Sequence, residues 1–261
     1  MKIVNTGWQK TYNKLCNLLE KESKVYYSRF GDGDFNIMSG VGGELYHSYS
    51  PELQKELIDA FMVDDPNYVK GVMLEEPIFT GGGLGNRGNK NDEQIARNFI
   101  DAYFFDKNTV TVDSHVVLTY LAVCHQDKFI DFLNKFIRPK KKLFIGSVEK
   151  EKVEKLIGKV DYYVNVPCEI AKGKEGLIGA YYSNHKWWPE VLKYVDDVEL
   201  VLPSAGMAGR VITKRLWYME KNLHCIELGS VVDGATGVES RSIWRRNDNI
   251  NRLKNLLLKE K

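Results

Sequence analysis

Apolar segments of strand length alternate along the chain with segments whose apolar residues recur at helical spacing. Residues 7–21 show the helical period, and the run KVYYSRF that follows is typical of a strand. Ser50 and Pro51 open another helical segment, with serine at a cap position and proline at the first helical position. The runs LFIG and ELVLP are continuously apolar, which indicates strands buried on both faces.

This alternation predicts an α/β fold with a mainly parallel, Rossmann-like sheet and helices on both faces. We expect one domain spanning residues 1–261, closed by an amphipathic helix near residues 249–259. In open sheets of this kind ligands bind beyond the carboxyl ends of the strands. Candidate chemistry is therefore sought where strands end.

Composition narrows the classes of function. The 37 Lys and Arg residues nearly balance the 35 Asp and Glu residues, so bulk charge gives no indication of nucleic-acid binding. The basic stretch RPKKK reads as a solvated loop before a strand rather than as a phosphate or membrane patch. No signal peptide or transmembrane span is evident, which favours a cytoplasmic protein.

The cysteines and histidines do not predict a zinc site. No pair of cysteines has zinc-ligand or redox spacing, and the five histidines form no HxH or HExxH pattern. Most of the cysteines are expected to be buried small hydrophobes of a reduced protein. They are Cys16, Cys124, Cys168 and Cys225.

The first unusual strand end follows VYYSRF, where Gly31 precedes Asp32-Gly33-Asp34. Two carboxylates this close repel each other unless a cation or donors hold them. A hard divalent cation commonly uses one or two carboxylates plus substrate phosphates. The alternative is an ordinary Gly-Asp turn. Arg29 favours the metal site, because a charge within a strand needs a partner such as a phosphate or one of these aspartates.

The second strand end is Pro203-Ser204-Ala205-Gly206, after which a long helix begins at once. Small residues at a strand-to-helix junction expose free amides at the positive end of the helix, where a phosphate binds readily. A tight turn that needs small residues only for packing explains the same pattern equally well.

The third strand end is Gly229-Ser230, with Asp233 just beyond it. Asp233 is the first candidate for a catalytic base or a further metal ligand, although Asp233-Gly234 is also a common turn sequence. His115, which follows the strand that ends near Asp113, is the second candidate base. Asp113 or Ser114 could equally be a helix cap.

GLGNRG at residues 83–88 formally matches a dinucleotide-binding fingerprint. That fingerprint requires a strand immediately before the glycines and a helix that opens on them. Neither is indicated here, so the segment is interpreted as a glycine-rich loop that could close over a ligand, with Arg87 reaching inward.

Two segments resemble the GT-D type of bacterial glycosyltransferase, first catalogued as a domain of unknown function. They are SRFGDGDFNIMSG near the amino terminus and LVLPSAGMAGRVITKRL followed by HCIELGSVVD near the carboxyl terminus. The resemblance implies a GT-D type fold and a metal-dependent transferase that uses a nucleotide sugar, typically a UDP-sugar. The family's acidic pair is usually D-x-E, whereas this chain has Asp32 and Asp34. Ser230 stands where studied members have a histidine, but related sequences reading DIGS match this chain better.

The resemblance and the strand ends together predict a donor site for a UDP-sugar with Mn²⁺ or Mg²⁺ on Asp32 and Asp34. The second substrate is expected to be a glycan or another hydroxyl acceptor, with Asp233 or His115 as base. A metal-dependent phosphoesterase and a non-catalytic nucleotide- or glycan-binding module remain alternatives, and a homo-oligomer is compatible with the sequence. The residues expected around the donor are Arg29, Phe30, Gly31, Ser204, Ala205, Gly206, Gly229 and Ser230.

Overall fold

The computed structural model of the protein describes residues 2–40, 48–74, 90–167 and 179–237. Several sequence predictions lie outside these residues. They are the closing helix at 249–259, the glycine-rich loop at 83–88 with Arg87, and Cys168.

Eight parallel strands form one sheet in the order β1-β4-β3-β2-β8-β7-β5-β6. The mainly parallel α/β architecture predicted from the sequence is confirmed. The strands are β1 (Lys2–Asn5), β2 (Tyr26–Phe30), β3 (Tyr68–Val72), β4 (Thr109–Ser114), β5 (Lys142–Gly146), β6 (Tyr162–Asn165), β7 (Leu200–Ser204) and β8 (His224–Ile226).

Helices connect the strands, as parallel pairing requires. Short 3₁₀ helices at Ala180–Ser183 and Val195–Asp197 flank one of them, and a π-helical turn at Leu133–Ile137 extends another. The α-helices are α1 (Gly7–Lys21), α2 (Asp32–Met38), α3 (Pro51–Phe61), α4 (Lys90–Tyr103), α5 (Val117–Cys124), α6 (Gln126–Phe132), α7 (Lys150–Ile157), α8 (Asn184–Tyr194), α9 (Met207–Tyr218) and α10 (Val231–Thr236).

The sheet is covered on both faces, and neighbouring side chains of one strand enter different cores because they point to opposite sides. Tyr26 and Phe30 of β2 pack with α2, α3, α4, α8 and α9, which cover the first face. Tyr27 packs with α1, α5, α6, α7 and α10, which cover the second face. Among the described residues, no helix has the length and apolarity needed to cross a bilayer.

Two elements differ from the sequence predictions. The edge strand β1 was not predicted, because four partly buried residues carry too weak a pattern. The Asp32-Gly33-Asp34 segment begins a helix instead of forming an isolated turn. Burial of Phe35 on the first face favours this helix, and the Asp34 side chain accepts a hydrogen bond from the Gly31 amide at its start.

Candidate functional site at the carboxyl ends of the strands

The strand ends singled out in the sequence lie side by side, because β2, β8 and β7 are consecutive neighbours in the sheet. The Ser204 hydroxyl at the end of β7 donates to the Gly229 carbonyl after β8, over 3.2 Å. On the other side, a Cβ atom placed on Gly31 after β2 would lie 3.3 Å from Nε2 of His115. Four strand ends thus contribute to one edge of the sheet.

Asp32 and Asp34 differ sharply in their surroundings. Asp32 is the first residue of α2 and is exposed, whereas Asp34 is buried. Residues two apart on a helix do not share a face, which separates the two carboxylates. Asp34 Oδ2 accepts from the Gly31 amide at 2.7 Å and pairs with Arg210 at 3.0 Å. Asp32 is therefore the acid that faces solvent, and Asp34 is bound to neighbouring protein groups.

Arg210 joins two buried carboxylates on the first face of the sheet. Its second ion pair runs from Nη1 to Oε2 of Glu227, at 3.1 Å. Nη1 also donates to the Gly206 carbonyl at 2.6 Å, which anchors the first turn of α9. Asp34, Arg210 and Glu227, here called the Arg210 cluster, thus tie together α2, α9 and the end of β8.

Glu227 is held in a fixed orientation. Its Oε1 accepts from the Ser28 hydroxyl at 2.9 Å and from the Thr213 hydroxyl at 3.3 Å. Burial raises the pKa of this carboxyl above its ordinary value and the charge of Asp34 adds to the rise, although Arg210 opposes it. The buried carboxyl therefore depends on Arg210 for compensation of its charge.

Arg29 lies on the second face, because it follows Ser28 in β2. Its Nε donates to the His115 carbonyl at 2.9 Å and its Nη1 to the Leu228 carbonyl at 3.1 Å. The sequence predicts a phosphate or an aspartate as partner of Arg29; the guanidinium in the structure connects the ends of β4 and β8. Gly229 is required beside it, because its φ is 59° and a Cβ there would overlap Nη1.

The two candidate bases lie on elements that start at this edge. His115 follows β4 and is half-buried, and its backbone carbonyl also accepts from the Tyr27 hydroxyl at 3.1 Å. Asp233 is a half-buried residue in the first turn of α10, so the Asp-Gly turn considered as the alternative is helical instead. Ser230, at the start of the same helix, is also half-buried.

The junction between β7 and α9 matches the sequence prediction of small residues at the start of a helix. Ser204 ends β7, Ala205 is buried, and Gly206 precedes α9 with a φ of 53° that favours glycine. The helix that follows has 12 residues, long enough for its amino end to favour an anion.

The donor atoms at this edge fit a hard cation that takes only part of its coordination from protein. In the described ranges, no three His, Cys, Asp or Glu side chains are grouped as a complete metal site. Mg²⁺ and Mn²⁺ in nucleotide sites typically use one or two carboxylates together with substrate phosphates and water. Asp32, exposed as the first residue of α2, suits that arrangement.

Glu227 and Arg210 were missed as candidates in the sequence. Glu227 lies within the apolar run HCIELGS, as Arg29 lies within VYYSRF. Both residues could have been selected from the sequence, because a charge in a buried strand needs a partner. Arg210 has no comparable local signal, since a cation on a helix is usually solvated.

Solved structures with this arrangement of strands and helices are glycosyltransferase-fold proteins. One, described as a new glycosyltransferase (DUF1792) from Streptococcus sanguinis, has a TM-score of 0.62 at 16% identity, covering 89% of this chain and 83% of its own. Another, described as the highly conserved domain of unknown function 1792 with a distinct glycosyltransferase fold, has a TM-score of 0.58 at 15% identity over 89% and 79%. No family model and no curated protein matches the sequence. The chain therefore has a glycosyltransferase fold. More narrowly, the fold is that of the DUF1792 proteins, which confirms the GT-D type fold predicted above.

Proposed function

We propose that the protein is a metal-dependent glycosyltransferase that transfers a sugar from a nucleotide sugar, a UDP-sugar in the first instance, to a hydroxyl acceptor such as a glycan. The observation that carries this proposal is the meeting of Asp32, the Ser204–Gly206 junction and Gly229 at one edge of the sheet. The reaction class is supported by one solved structure that shares the fold and is described as a glycosyltransferase, and by another described as having a distinct glycosyltransferase fold.

Each residue at this edge has a separate role. Asp32 meets the cation directly, while Asp34, whose Oδ2 binds the Gly31 amide and Arg210, sets the turn that presents Asp32 and is the second candidate ligand. Amides near Ser204 to Gly206 bind the diphosphate at the positive end of α9. Arg29 keeps the neighbouring strand ends in place. A bound Mn²⁺ or Mg²⁺ would neutralise charge on the departing diphosphate.

The acceptor hydroxyl loses its proton to a base at the same edge. Asp233 is the first candidate, because it lies in the first turn of α10 directly after the Gly229-Ser230 segment. His115 is the second, because its ring lies beside Gly31 at the end of β2. Replacing each in turn and measuring kcat against pH assigns the role to the residue whose loss removes the acidic limb of the profile, because a base must be deprotonated to act.

Calorimetry of UDP binding with and without Mn²⁺ tests the proposal. Asp32→Asn is expected to abolish the metal-dependent part of UDP binding, because it removes a carboxylate ligand while preserving side-chain size. The control is Asp106→Asn, an exposed acid in the loop before β4, at the opposite end of that strand. Unchanged UDP binding by Asp32→Asn, with or without Mn²⁺, would refute the metal role.

Products distinguish the alternative functions. A panel of nucleotide sugars and phosphate esters is incubated with the protein, and released UDP and free phosphate are measured separately. UDP release that depends on an acceptor supports the transferase. Free phosphate without UDP identifies a phosphoesterase, and tight nucleotide binding without turnover identifies a binding module.

A further inference from the structure

The Arg210 cluster contains two buried carboxylates that the proposed donor chemistry leaves unexplained. Asp34 and Glu227 are both buried, and one guanidinium lies between them. Burying ionised groups costs free energy unless they are paired and hydrogen-bonded. A cluster of this kind is therefore expected either to have a function or to fix the geometry of neighbouring groups.

Contacts lead from the cluster to the first turn of α2. Asp34 Oδ2 binds Arg210 and also accepts from the backbone amide of Gly31. That amide belongs to the residue that precedes α2, and Asp32 is the first residue of the helix. The direction of the Asp32 side chain therefore depends on an oxygen atom that Arg210 holds in place.

Contacts also lead from the cluster to the sheet, which is its rigid support. Glu227 follows β8 and accepts from Ser28 within β2, so its carboxylate is fixed to two adjacent strands. Arg210 is fixed to the start of α9 through the Gly206 carbonyl. The chain of contacts thus runs from the sheet through Glu227 and Arg210 to Asp34.

We propose that Glu227 and Arg210 are positioning residues: through Asp34 they fix the first turn of α2 and thus the direction in which Asp32 meets the donor. The role of Asp32 rests on the proposed function, whereas the fixing of the turn does not. Neither residue contacts the reacting atoms in this assignment. Their effect is on geometry, and site groups held by supporting hydrogen bonds are the ones that retain a productive geometry.

Hydrogen exchange in Glu227→Gln, measured by mass spectrometry, tests the fixing of the turn. Gln keeps the size of Glu and an oxygen that can accept from Ser28, but it removes the charge that holds Arg210. Peptides covering residues 30–38 are expected to exchange about tenfold faster, because hydrogen bonds to charged groups are the strong ones. Residues 142–157, which form β5 and α7 away from the cluster, should exchange as in the wild type.

A second variant and a control variant test the same effect on residues 30–38. Arg210→Lys retains the charge but lacks the fork that reaches two carboxylates, so its exchange at 30–38 should lie between wild type and Glu227→Gln. The control Glu199→Gln removes an acid that pairs with Lys140 at the opposite end of the sheet, and should leave residues 30–38 unchanged. Equal acceleration at 30–38 and 142–157, or none at 30–38, would overturn the inference.

Binding of Mn²⁺ with UDP, followed by electron paramagnetic resonance, tests the link to Asp32. Glu227→Gln is expected to weaken Mn²⁺ binding in the presence of UDP about tenfold, the effect typical of losing a residue that supports a metal ligand. If wild type binds no Mn²⁺ with UDP, the proposed function fails while the exchange result still decides whether Glu227 fixes the turn. If wild type binds and Glu227→Gln binds equally well, the link from Glu227 to Asp32 is wrong.

Discussion

The two ends of the sheet carry charge in different ways. At the amino ends of β5, β6 and β7, charges pair one to one on the surface. Lys140 with Glu199 at 3.0 Å and Lys141 with Asp197 at 2.7 Å are examples. At the carboxyl ends, the partly buried Arg210 lies between the buried carboxylates of Asp34 and Glu227. Exposed pairs contribute little to stability, whereas a buried charge that loses its partner is costly.

The same difference distinguishes the basic stretch RPKKK, at the amino ends of the strands, from the candidate functional site at their carboxyl ends. Its exposed lysines have acidic neighbours, which agrees with a solvated loop rather than a phosphate patch. The solvated-loop prediction is wrong for Lys142, the last residue of the stretch, which begins β5, is buried and donates to the carbonyls of Arg138 and Lys159. At the carboxyl edge, one cation compensates two buried carboxylates, and its substitution should have the larger effect.

The largest effect is expected from Arg210→Met, which leaves Asp34 and Glu227 buried without the cation between them. Breaking a buried pair by removing one partner typically costs about 3–5 kcal/mol. Urea unfolding followed by circular dichroism measures this loss. The matched control is Lys141→Met, because it removes a cation from an exposed pair. Equal losses in the two variants would contradict the distinction between the two ends.

Gly229→Ala is expected to have the next largest effect. Two costs add there: the φ of 59° disfavours a side chain, and the new methyl group would displace the Arg29 guanidinium. Overpacking of this kind typically costs about 1–3 kcal/mol. Gly7→Ala is the control, because Gly7 has a φ of 78° but no atom within 4 Å of its Cβ position. Urea unfolding should show a larger loss of unfolding free energy for Gly229→Ala than for Gly7→Ala. Equal losses would mean that the Arg29 side chain moves aside without an energetic cost.

Some features of the fold and of the candidate site could be predicted from the sequence, and others could not. The start of α3 was predictable, because capping by Ser50 and the fixed φ of Pro51 are local effects, and the Ser50 hydroxyl accepts from the Leu53 amide. The meeting of strand ends followed from parallel topology alone. The Arg210 cluster was not predictable, because its members lie far apart in sequence and meet only through tertiary packing. The Asp32-Gly33-Asp34 segment is locally compatible with a turn or a helix, and burial of Phe35 favours the helix.

The pH dependence of stability tests the charge state of Glu227. Burial raises the pKa of its carboxyl above the ordinary 4.5, even though Arg210, Ser28 and Arg29 lower it and Asp34 raises it further. The folded protein thus retains this proton above pH 4.5 while the unfolded chain releases it. Stability is therefore lost as pH rises from 4.5 toward the raised value, and is constant beyond it.

Glu227→Gln lacks this proton equilibrium and should not show that loss. Denaturant unfolding of both proteins from pH 4 to 8, with a chelator present, gives the difference in free energy of unfolding at each pH. We expect wild type to lose stability relative to Glu227→Gln as pH rises. If wild type instead gains stability relative to Glu227→Gln as pH rises, the attraction of Arg210 outweighs burial and lowers the pKa of Glu227.

The smallest effect is expected from Lys141→Ala at the amino end. Its partner Asp197 is exposed, so water and salt compensate for the lost ion pair. The unfolding midpoint should change little at low salt and not at all at high salt, and the proposed transferase activity should be unaffected. A salt-independent loss approaching that of Arg210→Met would show that burial does not set the difference between the two ends of the sheet. The position of Arg210 between two buried carboxylates would then have to be explained by geometry alone.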